Sequence, residues 1–262
     1  MLWGAIIGDI VGSIYEFDNI KTKDFSLFTE RGFITDDSCM TIAVADALMK
    51  WKRYGGDLQK HAIQSMREIG SKYPNMGYGF RFAHWLSSDD NEPYNSWGNG
   101  AAMRVSAVGW IGNSITEVKR LSYMVTSVSH DHIEGIKGAE ATAVCVYLAR
   151  MGKDKNEIAK YITDNYYDWC LSVAELQENY SWDGSCQGSV PQALQCVIES
   201  TSFEDAIRNA ISIGGDSDTI GAITGAVAGA YYGIPKEMIE TARKYVPDDL
   251  LVIIDKFEKG DY

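Results

Sequence analysis

The chain has 262 residues, and its 36 Asp and Glu against 24 Lys and Arg give a formal net charge of −12. That balance excludes a broad basic surface of the kind that holds nucleic acid by neutralising phosphates or adheres to anionic membranes. An apolar share of 45% with seven Trp and fifteen Tyr excludes a disordered chain.

Helical spacing and cap signals place helices near 2–15, 38–53, 57–72, 99–111, 116–129, 134–151, 155–164, 190–200, 203–213, 218–232, 235–245 and 248–258. Strand-like alternation is scarce, so the expected fold class is all-α in a single domain spanning residues 1–262. Three stretches, 17–37, 73–98 and 165–189, are longer than ordinary connections, and such loops are usually functional.

The first segment carries Gly4, Gly8 and Gly12 on one face, with Asp9 among its apolar residues and Glu16 at or just past its end. It has no basic leader and does not read as a signal peptide. After the first loop, Thr35-Asp36-Asp37-Ser38 opens the run Cys39 to Trp51. Asp, Ser and Thr are favoured at helix N-termini, so a cap accounts for one such side chain. It does not account for two adjacent carboxylates, which repel unless something positive lies between them.

Ser96-Trp97-Gly98-Asn99-Gly100-Ala101-Ala102-Met103-Arg104 is a small-residue turn running into an apolar segment. Either it is a capped glycine turn, or its backbone N–H groups form an anion site. It lacks the Gly-Lys-Ser/Thr of a phosphate loop. Ser129-His130-Asp131-His132 holds two of the four histidines, as a polar cap or as hydrogen-bonding groups of a site.

Further on, Thr201 to Glu204, or Ser202 to Asp205, has the form of a capping box. Gly214-Gly215-Asp216-Ser217-Asp218-Thr219 then repeats the carboxylate-and-hydroxyl pattern before a second glycine-striped segment, Gly221, Gly225, Gly229 and Gly233. Each interior glycine costs a helix about 1 kcal/mol relative to alanine. Close backbone approach between helices is the expected offset, which would make the two striped helices central. Pro235 and Pro247 suit first helical positions.

Two clusters of this make, with no Cys or His set at zinc spacing, point to hard divalent cations, Mg²⁺ or Mn²⁺, in a two-ion site. The cysteines Cys39, Cys145, Cys170, Cys186 and Cys196 are odd in number and include no C-x-x-C pair. They fit a reduced, cytoplasmic setting better than a disulfide framework. The uncharged run 220–234 is too short to span a bilayer.

These motifs in this order resemble the ADP-ribosylglycohydrolase family, over nearly the whole chain. The resemblance rests on Gly4 to Gly12 with Glu16, Thr35 to Ser38, Trp97 to Arg104, Ser129-His130 and Gly214 to Gly221. It implies an all-α orthogonal bundle with a binuclear metal cleft. It also implies Mg²⁺-dependent hydrolysis of the N- or O-glycosidic bond of an ADP-ribosylated protein or small molecule.

By matching position, Thr35, Asp36, Asp37, Asp216, Asp218 and Thr219 would hold two Mg²⁺, with Mn²⁺ possible. Glu16 and Asp37 would be the catalytic carboxylates. Ser96, Trp97 (where relatives have tyrosine), Gly98, Asn99, Gly100 and His130 would bind the ADP-ribose moiety. Ser217 stands where many members have threonine, and His132 has no counterpart.

The protein is expected to act as a monomer. The alternative is a non-catalytic, ADP-ribose-binding or crystallin-like member of the family. A haloacid-dehalogenase-like phosphatase fails because the threonine follows Asp218 one place early and no strand precedes the motif. A DxD glycosyltransferase fails for want of βαβ units.

Overall fold

In the computed structural model the described residues are 1–168 and 171–261; Cys170 and a piece of the 165–189 stretch lie outside them. The helices are α1 (Trp3–Gly12), α2 (Asp36–Tyr54), α3 (Leu58–Lys72), α4 (Phe80–Ser87), α5 (Gly100–Met103), α6 (Ser106–Ile111) and α7 (Ile115–Thr126). They continue as α8 (Ile133–Arg150), α9 (Lys155–Asn165), α10 (Val173–Asn179), α11 (Cys186–Ile198), α12 (Phe203–Ser212), α13 (Ser217–Tyr232), α14 (Lys236–Ala242) and α15 (Asp248–Lys259). Among the described residues the only β pairing is an isolated bridge between Gly98 and Ser185. The fold is all-α, and among the described residues no helix is long and apolar enough to cross a membrane.

The centre is α1 against α13. Every residue of α1 is buried, and so is every residue of α13 from Ser217 to Gly229. The glycine stripes meet antiparallel: a Cβ on Gly4 would fall on the Gly225 carbonyl, one on Gly8 on the Gly221 carbonyl, and one on Gly12 on the Ser217–Asp218 backbone. The bare faces therefore let the two backbones touch, which recovers by packing what the glycines cost in propensity. The register brings the last residue of α1 beside the first turn of α13.

Several helix starts follow local capping chemistry. Asp57, Ser114 and Ser202 accept from backbone N–H groups of α3, α7 and α12, while Asp154–Glu157 and Ser172–Glu175 form full capping boxes. The box candidate near 201 resolves as Ser202 to Asp205, and Asp205 Oδ2 reaches back to the Thr201 N–H. Pro235 and Pro247 sit at the caps, one place before the positions expected for them.

The expected helix over 99–111 is two, because the backbone leaves helical geometry at Arg104 and Val105 (ψ −2° and 4°). Pro191 suggests a start near 190, yet α11 begins at Cys186, where the Ser185 hydroxyl caps the Gly188 N–H. Two of the long irregular stretches contain helices, α4 and α10. The four described cysteines, Cys39, Cys145, Cys186 and Cys196, are buried free thiols.

Candidate metal centre and its cleft

The two acidic turns meet because α1 and α13 fix them. Thr35 is extended (φ −111°, ψ −165°) and caps α2, placing Asp36 and Asp37 in its first turn. Gly214 and Gly215 have φ of 70° and 80°, a conformation open to glycine, and turn the chain sharply into Asp216 and α13. Asn19 ties this turn to the segment after α1: its Oδ1 accepts from the Gly215 N–H at 2.7 Å, and its Nδ2 donates to Tyr15 O at 2.6 Å and Gly215 O at 2.9 Å. Glu16 is thereby held over the start of α13.

Carboxylate oxygens gather in two overlapping groups, Asp9–Asp37–Asp218 and Glu16–Asp216–Asp218, each within 4.8 Å. Asp36 faces the same cleft from the start of α2. The members differ in how well they are satisfied. Asp9 accepts from the Thr35 N–H (2.9 Å), the Thr35 hydroxyl (2.8 Å), the Ser38 N–H (3.1 Å) and the Ser38 hydroxyl. It fastens α1 to the N-terminus of α2. Asp216 accepts from the Asn99 amide at 2.6 Å, and Asp218 from the Thr219 N–H at 2.9 Å.

Asp37 is the exception. Its Oδ2 is met by the Thr219 hydroxyl at 3.3 Å, and its buried Oδ1 has no partner. The Thr35 hydroxyl lies 3.2 Å from Asp37 Oδ2, but its single proton serves the shorter bond to Asp9. A buried carboxylate left this bare costs several kcal/mol unless a cation meets it.

The titration behaviour agrees. Burial, then the Asp218 carboxylate, pushes Asp9 up to about 7. Burial, then Asp218 and Asp9, does the same to Glu16, also to about 7. Asp36, Asp37 and Asp216 are raised well above the ordinary carboxylate range by burial and by Asp218, and burial raises Asp218 itself. Without cations these acids take up protons. Divalent ions held by oxygen ligands satisfy the same geometry with the carboxylates ionised. The donor set is all oxygen, so it suits Mg²⁺ or Mn²⁺ rather than zinc.

A cavity of about 550 Å³ opens over the acids, within the range of small-molecule sites. Thr35, Asp36, Asp37, Asp216, Asp218, Thr219 and Glu16 all line it, as do Ser96, Gly98, Asn99, Gly100 and His130. Trp97 is set differently. It is 48% exposed, its ring edge rests on His132, and it stands at the rim rather than on the cavity wall.

His132 has a local task, its Nδ1 accepting from the Glu134 N–H at the start of α8. The anion cradle expected over 96–100 is partly committed to the fold: the Gly98 N–H donates to the Ser96 hydroxyl, and the Asn99 N–H to the Gly184 carbonyl. The Asn99 side chain also bonds Ser189 at 3.0 Å. It therefore bridges the α13 acids and α11. The mouth is edged by Phe17, Phe33, Phe80 and Trp182, all exposed.

Asp9, Asn19, Arg104 and Ser189 complete the site beyond the residues picked from sequence. Asp9 carried a signal, a lone charge inside an otherwise apolar helix. Asn19 and Ser189 carried none, because their partners lie far away in sequence.

Comparison with known proteins decides the lineage. The sequence profile described as ADP-ribosylglycohydrolase matches residues 1–261. The chain belongs to the ADP-ribosylglycohydrolase family. Membership makes it a glycosidic-bond hydrolase.

Within the family it is similar to the mouse ADP-ribosylhydrolase ARH3, 26% identical over a gapped alignment of 330 positions that covers 95% of this chain and 88% of that protein. It is also similar to the ADP-ribosylarginine hydrolase Tri1 of Pseudomonas putida strain GB-1, 25% identical over a gapped alignment of 273 positions that covers 91% of this chain and 72% of that protein. A solved structure titled ADP-ribosylglycohydrolase-related protein complex superposes with a TM-score of 0.66 at 21% identity, covering 93% of this chain and 95% of its own, and so shares the fold.

Proposed function

We propose that this ADP-ribosylglycohydrolase is a Mg²⁺-dependent enzyme that releases ADP-ribose from an N- or O-linked ADP-ribosylated protein or small molecule. The observation that carries the cation dependence is Asp37, a buried carboxylate with an unpartnered oxygen grouped with Asp9 and Asp218. Thr35, Asp36, Asp37, Asp216, Asp218 and Thr219 would hold two ions, Mg²⁺ or Mn²⁺. When bound, such ions supply charge neutralisation, grip ribose hydroxyls and acidify a coordinated water.

The chain's own residues do the rest. Glu16 reaches the cleft from a turn fixed by Asn19 and shares a carboxylate group with Asp216 and Asp218. Its carboxyl, which burial raises in the cation-free chain, would give or take a proton at the anomeric bond. Cleavage of that bond passes through an oxocarbenium-like state, which a neighbouring carboxylate stabilises; Asp37 would serve there. Ser96, Gly98 and Gly100 would receive the diphosphate, Asn99 would keep Asp216 in place, and His130 would face the ligand from beneath the loop.

The free thiols support a cytoplasmic setting. The test is a panel of arginine-, serine- and acetyl-linked ADP-ribose incubated with Mg²⁺ or Mn²⁺. Release of ADP-ribose from at least one linkage is expected. Binding of all three without release from any would refute the proposed substrate class.

A further inference from the structure

Arg104 is the largest fully buried side chain among the described residues, with no solvent exposure. Its guanidinium lies over the Phe82 ring at 5.2 Å, and its Nε and Nη1 have no hydrogen-bond partner. The remaining nitrogen, Nη2, is 2.7 Å from the Ser129 hydroxyl and 3.5 Å from His130 Nδ1. The Ser129 hydroxyl in turn is 2.9 Å from His130 Nδ1.

Direction follows from donor inventory. A guanidinium has no acceptor, so the Ser129 oxygen accepts from Arg104, which leaves its own proton free to reach His130 Nδ1. An Nδ1–H would face the Arg104 Nη2 donor 3.5 Å away, so the two contacts together favour Nδ1 as an acceptor. A neutral imidazole with Nδ1 as acceptor carries its proton on Nε2. Nε2 is the ring atom that faces the 96–100 loop: it lies 3.4 Å and 3.6 Å from where Cβ atoms on Gly100 and Gly98 would be. His130, Ser96, Gly98 and Gly100 line one wall of the cavity.

We propose that Arg104 and Ser129 are positioning residues that lock His130 as the Nε2–H tautomer, a fixed hydrogen-bond donor aimed at an oxygen-rich anionic ligand against the 96–100 loop. The identity of that ligand as the diphosphate-ribose part of ADP-ribose rests on the proposed function; the tautomer does not.

The surroundings keep the imidazole neutral. Burial, then the Arg104 and Arg81 charges, holds His130 well below its ordinary value. Tyr94 packs edge-on against the ring, and its phenol is itself raised to about 12, so it stays neutral. Phe82 covers another side. Arg104 is lowered only to about 10 and stays charged near neutrality. It sets a buried positive charge behind the loop.

The test is nitrogen NMR of the full chain with labelled histidine, from pH 5.5 to 8. The wild type should show a protonated, pyrrole-type Nε2 and a pyridine-type Nδ1 for His130, unchanged across the range. Ser129→Ala should give mixed tautomers and weaken ADP-ribose binding about tenfold, as expected for one buried hydrogen bond. Ser129→Thr should restore both readouts. Arg104→Lys, which keeps the charge, guards against a folding defect and should leave His130 neutral.

A protonated Nδ1 in the wild type, or a His130 that titrates within this range, would overturn the proposal. So would Ser129→Ala with an unchanged tautomer. Failure of wild-type protein to bind ADP-ribose at all would count against the proposed function, while the nitrogen shifts decide the relay on their own.

Discussion

Asp37 and Glu16 divide the work of the site between holding charge and moving a proton, and their variants should separate. In the cation-free protein, Asp37→Asn removes a bare buried carboxylate from a repulsive cluster, so its thermal midpoint should rise. The same change should reduce Mg²⁺ affinity about tenfold or more, roughly 1.4 kcal/mol. Titration calorimetry with unchanged Mg²⁺ affinity would remove Asp37 from the ligand set. Glu16→Gln should keep the fold and the Mg²⁺-induced stabilisation, yet lower turnover about 10²- to 10⁴-fold, the range for a general acid–base group. Turnover near the wild-type rate would end that assignment.

The pH dependence has a definite sign. Asp9 and Glu16 are raised to about 7 in the folded, cation-free chain, from 3.8 and 4.5. The folded state thus binds more protons than the unfolded one between these values. Their contribution to stability is complete below about 4 and lost as pH rises through 7. Thermal unfolding in EDTA should therefore show this loss, and saturating Mg²⁺ should remove it. A cation-free protein whose midpoint rises steadily from pH 5 to 8 would contradict the raised carboxylates. Most of these residues were legible in sequence because two acidic turns before apolar helices exceed what capping needs. Asn19 was not, since nothing in a lone loop asparagine reveals that its partner is the Gly215 backbone.

At the level of elements, the glycine stripes were the most readable feature of the fold. They predicted two central helices in close backbone contact, and α1 and α13 meet in that way. Gly8→Ala would drive a methyl group into the Gly221 carbonyl, with backbone on both sides and nothing flexible to yield. Its expected cost is about 3 kcal/mol or more by denaturant unfolding. Gly79→Ala, where nothing lies within 4 Å, should change stability by about 0.5 kcal/mol or less. Equal effects at the two positions would mean the stripes do not control packing.

Two helices escaped the periodicity. In α4 the buried residues are Phe82, Trp85 and Leu86, one turn of helical spacing inside a polar and aromatic stretch. In α10 the Ser172–Glu175 capping box was present, but the apolar face is only Val173 and Leu176. Short helices with two or three buried residues give little periodic signal, and their stability comes from the surfaces they cover. The break at Arg104–Val105 was hidden for a different reason: the local sequence favours helix on both sides of it.

For the molecule as a whole, a net charge of −12 reads first as hostility to any phosphate-bearing ligand. The structure gathers Glu16, Asp36, Asp37, Asp216 and Asp218 around one cavity with Asp9 buried among them, and the buried Arg104 lines the same cavity. Neither composition nor helix pattern reveals that a fixed positive charge shares the cleft with the acids. The family is legible from motifs because their order is preserved along the chain. The bonded group that ADP-ribose would leave behind is not, because the mouth is edged by exposed residues such as Phe17 and Phe80, whose sequence context carries no periodicity.

If divalent cations neutralise the carboxylates of this cleft, hydrolysis of an ADP-ribosyl bond should depend on them. The most direct measurement is the rate of ADP-ribose release from a labelled ADP-ribosylated substrate after EDTA treatment, followed by readdition of Mg²⁺. Release should be lost in EDTA and recover with Mg²⁺ in the wild type, with no recovery in Glu16→Gln. Undiminished release in EDTA, by protein shown to be free of metal, would contradict the proposed cation dependence.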